Sequence, residues 1–309
     1  MPLIVQDSLP AIKPLEAEGL FVVNPERART QDIRPLKIAL VNLMPTKETT
    51  EIQFMRLLSN SSLQIDLTLL CMGSHHSKNT SDTYLRQFYK TLKQVEGTRF
   101  DGMIITGAPV EDMDFSEVDY WYEMKDLMAY TKRNVFSTMH VCWGAQAGLF
   151  YHYGINKHAL PEKCFGVFPH TVNPDNDMLF KGANDTVFVP HSRHSGWKTN
   201  EIKNNKKLKV VLESSDAGVC VISAHHARQI FVAGHFEYDR DTLAKEYFRD
   251  LGQGKKIHMP ENYFLNDDET KNPIVTWRGD ANLLFSNWLN YVVYQRTPFD
   301  LHQLEPLED

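Results

Sequence analysis

Cysteine is scarce in this 309-residue chain, and the four present, Cys71, Cys142, Cys164 and Cys220, are too far apart to form a CxxC pair. That excludes a disulfide framework and offers no zinc-ligand spacing, so no metal is expected. Reduced thiols fit the cytoplasm, which is the location expected here. Long apolar runs are also missing. Nowhere do eighteen apolar residues follow one another, and residues 1–14 hold prolines and Asp7 rather than the apolar stretch of a targeting segment, so no membrane partner is expected. Nor is there an excess of positive charge. The 33 Lys and Arg against 39 Asp and Glu leave a formal charge of −6, which argues against a nucleic-acid partner. Internal repeats, low-complexity tracts and linkers are absent. The 42% hydrophobic content suffices for a large core, and a single domain over residues 35–309 is expected, with 1–34 as an extension packed on it.

Within residues 35–141 the pattern alternates. Apolar runs at 37–43, 63–70, 100–107 and 135–141 predict strands, and helical spacing at 48–58, 83–94 and 120–131 predicts the helices between them. Four successive β–α alternations imply an α/β fold with a parallel sheet flanked by helices, in which ligands bind at the carboxyl ends of strands. Lys47, the Thr106-Gly107-Ala108-Pro109 turn and Cys142 all fall at such ends. The second half carries shorter strand candidates at 182–191, 209–214, 219–223 and 229–234, then helices at 242–251 and 282–295.

The organising stretch is Val141-Cys142-Trp143-Gly144-Ala145-Gln146-Ala147-Gly148, where a β-rich run meets a small-residue segment that continues as a helix to Gly154. A cysteine at such an elbow projects from the sheet, and the helix N-terminus behind it favours thiolate. The competing reading is a buried, inert cysteine. A second feature, Gly234-His235-Phe236-Glu237-Tyr238, ends an apolar run and pairs an imidazole with a carboxylate two residues on. With Cys142 this gives a nucleophile, a base and an orienting acid. A structural histidine or a metal-binding His-x-Glu pair remain the alternatives. His75-His76, His191 with His194, and His225-His226 lack a matching ligand set.

Together with Asn42-Leu43-Met44-Pro45-Thr46-Lys47, Pro190-His191-Ser192-Arg193 and Asn282-Leu283-Leu284-Phe285-Ser286-Asn287-Trp288, these motifs resemble the homoserine O-acyltransferases built on the class I glutamine amidotransferase (flavodoxin-like) fold. The resemblance is nearly full length. It implies Cys142 as the acyl-carrying nucleophile, His235 as general base and Glu237 as its partner. It further implies backbone N–H groups of Gly107 and Trp143 as the oxyanion hole and Lys47 near the acyl donor or nucleophile. Lys163, Ser192 and Arg249 are implied at the acceptor amino acid. Glu111 stands where the family accompanies succinyl transfer with glycine, so acetyl-CoA is the expected co-substrate, with no bound cofactor. The implied reaction is acetyl transfer to L-homoserine by a ping-pong route in methionine biosynthesis, in a homodimer. L-Serine O-acetyl transfer, homoserine O-succinyl transfer, a glutamine amidase and a non-catalytic binding module are the rival readings. Phe236, and Gly279-Asp280-Ala281 where the family usually has Ser-His-Gly, depart from its pattern and are expected to alter the acceptor pocket.

Overall fold

Six- and seven-residue apolar runs that are buried at every position form the central strands of the computed structural model, which describes residues 3–4, 9–17, 22–23, 34–75, 79–174 and 178–308. In chain order the strands are β1 (Leu3–Ile4), β2 (Val22–Val23), β3 (Leu36–Val41), β4 (Ile65–Leu70), β5 (Tyr89–Lys90) and β6 (Phe100–Ile105). They continue with β7 (Val135–Val141), β8 (His158–Val172), β9 (Thr186–Gly196), β10 (Leu208–Ser214), β11 (Gly218–Ala224) and β12 (Gln229–Val232). The helices are α1 (Ile12–Ala17), α2 (Lys47–Ser59), α3 (Asp82–Phe88), α4 (Leu92–Val95), α5 (Trp121–Asn134), α6 (Trp143–Tyr153), α7 (Thr199–Asn204), α8 (Thr242–Gly252) and α9 (Arg278–Asn287).

One sheet runs β2-β1-β4-β3-β6-β7-β12-β11-β10-β8-β9, with β5 beside β4. From β2 to β12 every pairing is parallel, and from β12 to β9 every pairing is antiparallel. β6 and β7 are buried at all positions because helices cover both faces of the parallel part. The carboxyl ends of β6, β7 and β12 therefore lie side by side, and Gly107, Cys142 and His235 follow them at two, one and three residues. Leu9, Ala11 and Leu15 are buried in the same apolar cluster as Ile38, Leu40 and Phe54. Among the described residues no helix is long and apolar enough to cross a membrane.

Several expectations shift. The helix expected over 83–94 is interrupted at β5, where Tyr89 pairs with Leu69. Tyr89 is drawn there because its hydroxyl donates to the buried Glu51 carboxylate at 2.6 Å. The strand expected at 182–191 begins at Thr186 and extends to Gly196 along a 15-residue partner, β8, that local pattern did not reveal. β8 carries Pro161 and Pro169 and a register shift between Ala159 and Cys164, which hide its period. The last helix starts at Arg278 and widens into a π-type helix over Trp288–Tyr294. His76, noted in the sequence beside His75, lies outside the described residues.

Candidate active site

Cys142 is the hinge between β7 and α6. Its φ of 51° and ψ of −117° lie outside the conformations that L-residues favour, and neighbouring bonds hold it there. Cys142 N–H donates to Val232 O at 2.7 Å, while Cys142 O accepts from Ala145 and Gln146 N–H at 3.0 and 3.1 Å. The small residues behind it are required by close approach. A methyl group on Gly144 would stand 2.6 Å from Thr106 O and 2.9 Å from Ile105 O, both backbone atoms. Gly154 closes the helix at φ 68°, as expected of a left-handed cap.

Gly107 and Trp143 flank the sulfur. A methyl group on Gly107 would lie 3.5 Å from Cys142 Sγ and 3.7 Å from Trp143 N, so glycine leaves open the space over the sulfur. Thr106 fixes that turn: its hydroxyl donates to Gly107 O at 3.0 Å and accepts from Leu43 N–H at 2.8 Å. Trp143 is the first residue of α6, where a helix offers an N–H without an intrahelical partner.

From the neighbouring strand end, His235 and Glu237 come up to Cys142. His235 Nδ1 meets Glu237 Oε1 at 2.6 Å, and both side chains are buried. Burial alone would lower the imidazole pKa, but the Glu237 carboxylate and the Cys142 side chain, within hydrogen-bonding reach, raise it well above its usual value. The Tyr238 ring lies on the imidazole face, with centroids 4.1 Å apart and planes 9° from parallel.

The three residues implied at the acceptor converge on one that the sequence did not single out. Glu246, on α8, accepts from Lys163 Nζ at 2.6 Å and Ser192 Oγ at 2.8 Å, and Arg249 Nη2 is 3.8 Å away. Arg249 is 56% exposed and also bonds Asp250 at 2.8 Å, so its guanidinium keeps an open side. Glu246, Glu237, Cys142 and Glu111 all act electrostatically on Tyr238, so Cys142, Glu237 and the Glu246 cluster share one locality. Glu111 Oε2 accepts from His194 N–H at 2.9 Å, and Ser195 Oγ lies 3.4 Å from that oxygen.

Lys47 is buried in a polar network rather than solvated. Its Nζ donates to Asn42 O at 2.5 Å. Burial lowers its pKa to about 8, against the raising influence of Cys71 and Glu51. A lowered pKa means that the folded chain binds fewer protons than the unfolded chain between about 8 and the ordinary 10.5. Stability from this group is then present above that window and is lost as pH falls through about 8. The effect is at most about 3 kcal/mol. Urea midpoints between pH 7.5 and 10.5 should therefore rise more steeply in the parent than in Lys47→Met, and parallel curves would contradict a desolvated ammonium.

Two expected perturbations of the acceptor pocket are relocated. Phe236 is buried in the core, in the turn that follows β12, with its ring 6.0 Å from that of Phe180. Gly279-Asp280-Ala281 form the first turn of α9, where Asp280 bonds the Phe188 backbone and Ala281 is buried in the core. His170, His191 and Cys220, unlinked in the sequence, do meet. Their hydrogen bonds account for both rings. Arg193 Nε donates to His191 Nδ1, so His191 Nε2 carries the proton toward His170 Nε2 at 3.3 Å, and His170 Nδ1 donates to Phe168 O.

The family model described as homoserine O-succinyltransferase matches residues 2–299. A homoserine O-acetyltransferase of Brevibacillus brevis is 53% identical over 302 residues, covering 98% of this chain and 99% of that one. Another, from Acetivibrio thermocellus, is 52% identical over 305 residues, covering 99% and 100%. Among solved structures, a glutamine amidotransferase of Thermotoga maritima superposes with a TM-score of 0.55 at 11% identity, over 85% of this chain and 100% of that one, a likeness of fold. On the family match and these full-length relatives, the chain belongs to the homoserine O-succinyltransferase family, carried on a glutamine amidotransferase-like fold.

Proposed function

We propose that the chain transfers the acetyl group of acetyl-CoA to the hydroxyl of L-homoserine through an acyl-enzyme at Cys142. The observation that carries this reading is the buried His235–Glu237 pair, 2.6 Å apart, within reach of a cysteine at a strained strand-to-helix elbow. Cys142 gives its proton to His235 and attacks the thioester carbonyl. Backbone N–H groups of Gly107 and Trp143 receive the oxyanion, for which each donor contributes roughly 3–4 kcal/mol. Coenzyme A leaves as its sulfur takes the proton from His235. The homoserine hydroxyl then loses its proton to His235 as it attacks the thioester, and the Cys142 sulfur departs. At the acceptor, Arg249 and Lys163 suit the α-carboxylate and Glu246 suits the α-ammonium.

Glu111 sets the donor. Its carboxylate is held at Ser195 and His194, on the strand that carries Ser192. A succinyl group would bring a second carboxylate into that space, and a like charge at 4 Å costs about 4 kcal/mol at intermediate dielectric. Since a factor of ten needs only about 1.4 kcal/mol, Glu111→Gly should raise the succinyl-to-acetyl ratio of kcat/KM at least about tenfold. An unchanged ratio would remove Glu111 from donor choice.

The chain is further proposed to act as one α/β domain over 35–309 with residues 1–34 packed on it, as a homodimer in the cytoplasm. Burial of Leu9, Ala11 and Leu15 against the core supports the packing of the extension. The whole reading is tested by initial rates with acetyl-CoA or succinyl-CoA against homoserine, serine and, as an amidase control, glutamine. Acetyl transfer to homoserine should dominate. Preferred use of serine, or ammonia release from glutamine without acyl transfer, would refute the assignment.

A further inference from the structure

The imidazole of His235 is engaged at its edges by Glu237 and Cys142. One of its faces is covered by the Tyr238 ring, 4.1 Å away and 9° from parallel. Tyr238 is itself held from behind. Its carbonyl accepts from Trp277 Nε1 at 3.1 Å, and the side chain packs against the buried cluster that contains Phe165, Leu243, Tyr263 and Trp277. The short segment after β12 thus wraps the histidine, with the carboxylate at i+2 on an edge and the phenol at i+3 on a face.

We propose that Tyr238 is a positioning residue for acyl transfer: clamped by the Trp277 cluster, its ring fixes the His235 plane so that one nitrogen stays on Glu237 and the other stays at Cys142. The inference rests on the acyl-enzyme reading above. In that reading His235 takes the proton from Cys142, gives it to coenzyme A, takes one from the acceptor and must again face a free thiolate. Each transfer requires hydrogen-bond distance, and misplacement by about 1 Å costs on the order of 10²-fold in rate. Rotation of an unclamped ring about Cβ–Cγ moves the distal nitrogen by that order. The ring face also suits the imidazolium that forms when Cys142 ionises, because aromatic faces attract cations. The phenol itself stays protonated, since burial and the surrounding Glu246, Glu237, Cys142 and Glu111 push its pKa well above the ordinary value. Its contribution is therefore the flat face and not a charge.

The test compares Tyr238→Phe with Tyr238→Leu in the full chain. Two readouts are taken: the rate of acetyl adduct formation on mixing with acetyl-CoA alone, and the pH dependence of Cys142 alkylation by iodoacetamide. The titratable and charged groups that face His235 are Cys142 from the α6 elbow, Glu237 and Tyr238 from its own segment, and His191 from β9. Tyr238→Phe should acetylate within about threefold of the parent, whereas Tyr238→Leu should be slower by on the order of 10²-fold. The alkylation inflection of Tyr238→Leu should also move to higher pH, as the thiolate loses an aligned imidazolium, while that of Tyr238→Phe stays in place. Packing alone would leave that inflection unmoved. A Leu variant with parent-like rate and inflection would overturn the proposal, as would a Phe variant as slow as the Leu variant. If Tyr238→Leu does not fold, Tyr238→Met replaces it with the same expectations. A parent that forms no adduct would sink the acyl-enzyme reading, and the alkylation profiles would still decide the role of Tyr238.

Discussion

Glu237→Gln is expected to lower kcat by about 10³- to 10⁴-fold while leaving the KM values within a few-fold. The carboxylate meets His235 Nδ1 at 2.6 Å in a buried setting and can only accept. An amide there can also donate, which admits the tautomer whose proton sits on the nitrogen that must face Cys142. Substrate contacts are untouched, so the loss falls on chemistry. The pH dependence carries a sign as well. Glu237 raises the His235 pKa, so its removal lowers that pKa. The alkaline limb of kcat/KM for acetyl-CoA, set by loss of the imidazolium proton from the free enzyme, should move to lower pH. A variant with parent-like kcat would contradict the triad. So would a large kcat loss with an unmoved alkaline limb.

Gly144→Ala carries the second large effect. The added methyl group would lie 2.6 Å from Thr106 O and 2.9 Å from Ile105 O, so relief requires that β6 or the first turn of α6 move. Overpacking of this kind costs about 1–3 kcal/mol, and carbonyl oxygens at the end of a central strand leave little means of relaxation. The movement also shifts Trp143 N and the Gly107 turn relative to the sulfur, and a displacement of about 1 Å is worth on the order of 10²-fold in rate. Denaturant midpoints and the acetyl-CoA half-reaction measured on the same preparation should both fall. Gly154→Ala, at a helix cap with open space around it, should lose stability through its positive φ yet acylate at the parent rate. Equal acylation rates in the two variants would show that the elbow tolerates a side chain.

Much of the candidate site's geometry could be read from the chain because its signals are local. β7 has the expected limits at Val135 and Val141, and the cysteine, the small residues after it and the capping Gly154 are contiguous. His235 and Glu237 are two residues apart and share a side of the chain. The cluster around Glu246 was legible only in part. Glu246, three residues before Arg249 on an amphipathic helix, has the pattern of an ordinary surface charge. It becomes the common partner of Lys163 and Ser192 only because β8 and β9 pair with each other and lie against α8. β8 itself was hidden by two prolines and a bulge, so its contribution to the site could not be placed from periodicity. Tyr238 gave no signal either, since stacking on a neighbour three residues away requires the bend after β12. Phe236 was expected at the acceptor pocket by adjacency to His235, whereas the turn after β12 buries it in the core beside Phe180.

Intact-protein mass spectrometry after mixing with acetyl-CoA alone tests most directly the proposed role of Cys142 as carrier of the acyl group between donor and acceptor. A single acetyl adduct should form, map to Cys142, disappear when homoserine is added and be absent from Cys142→Ala. An adduct that persists in Cys142→Ala, or turnover of homoserine by that variant at the parent rate, would contradict the account.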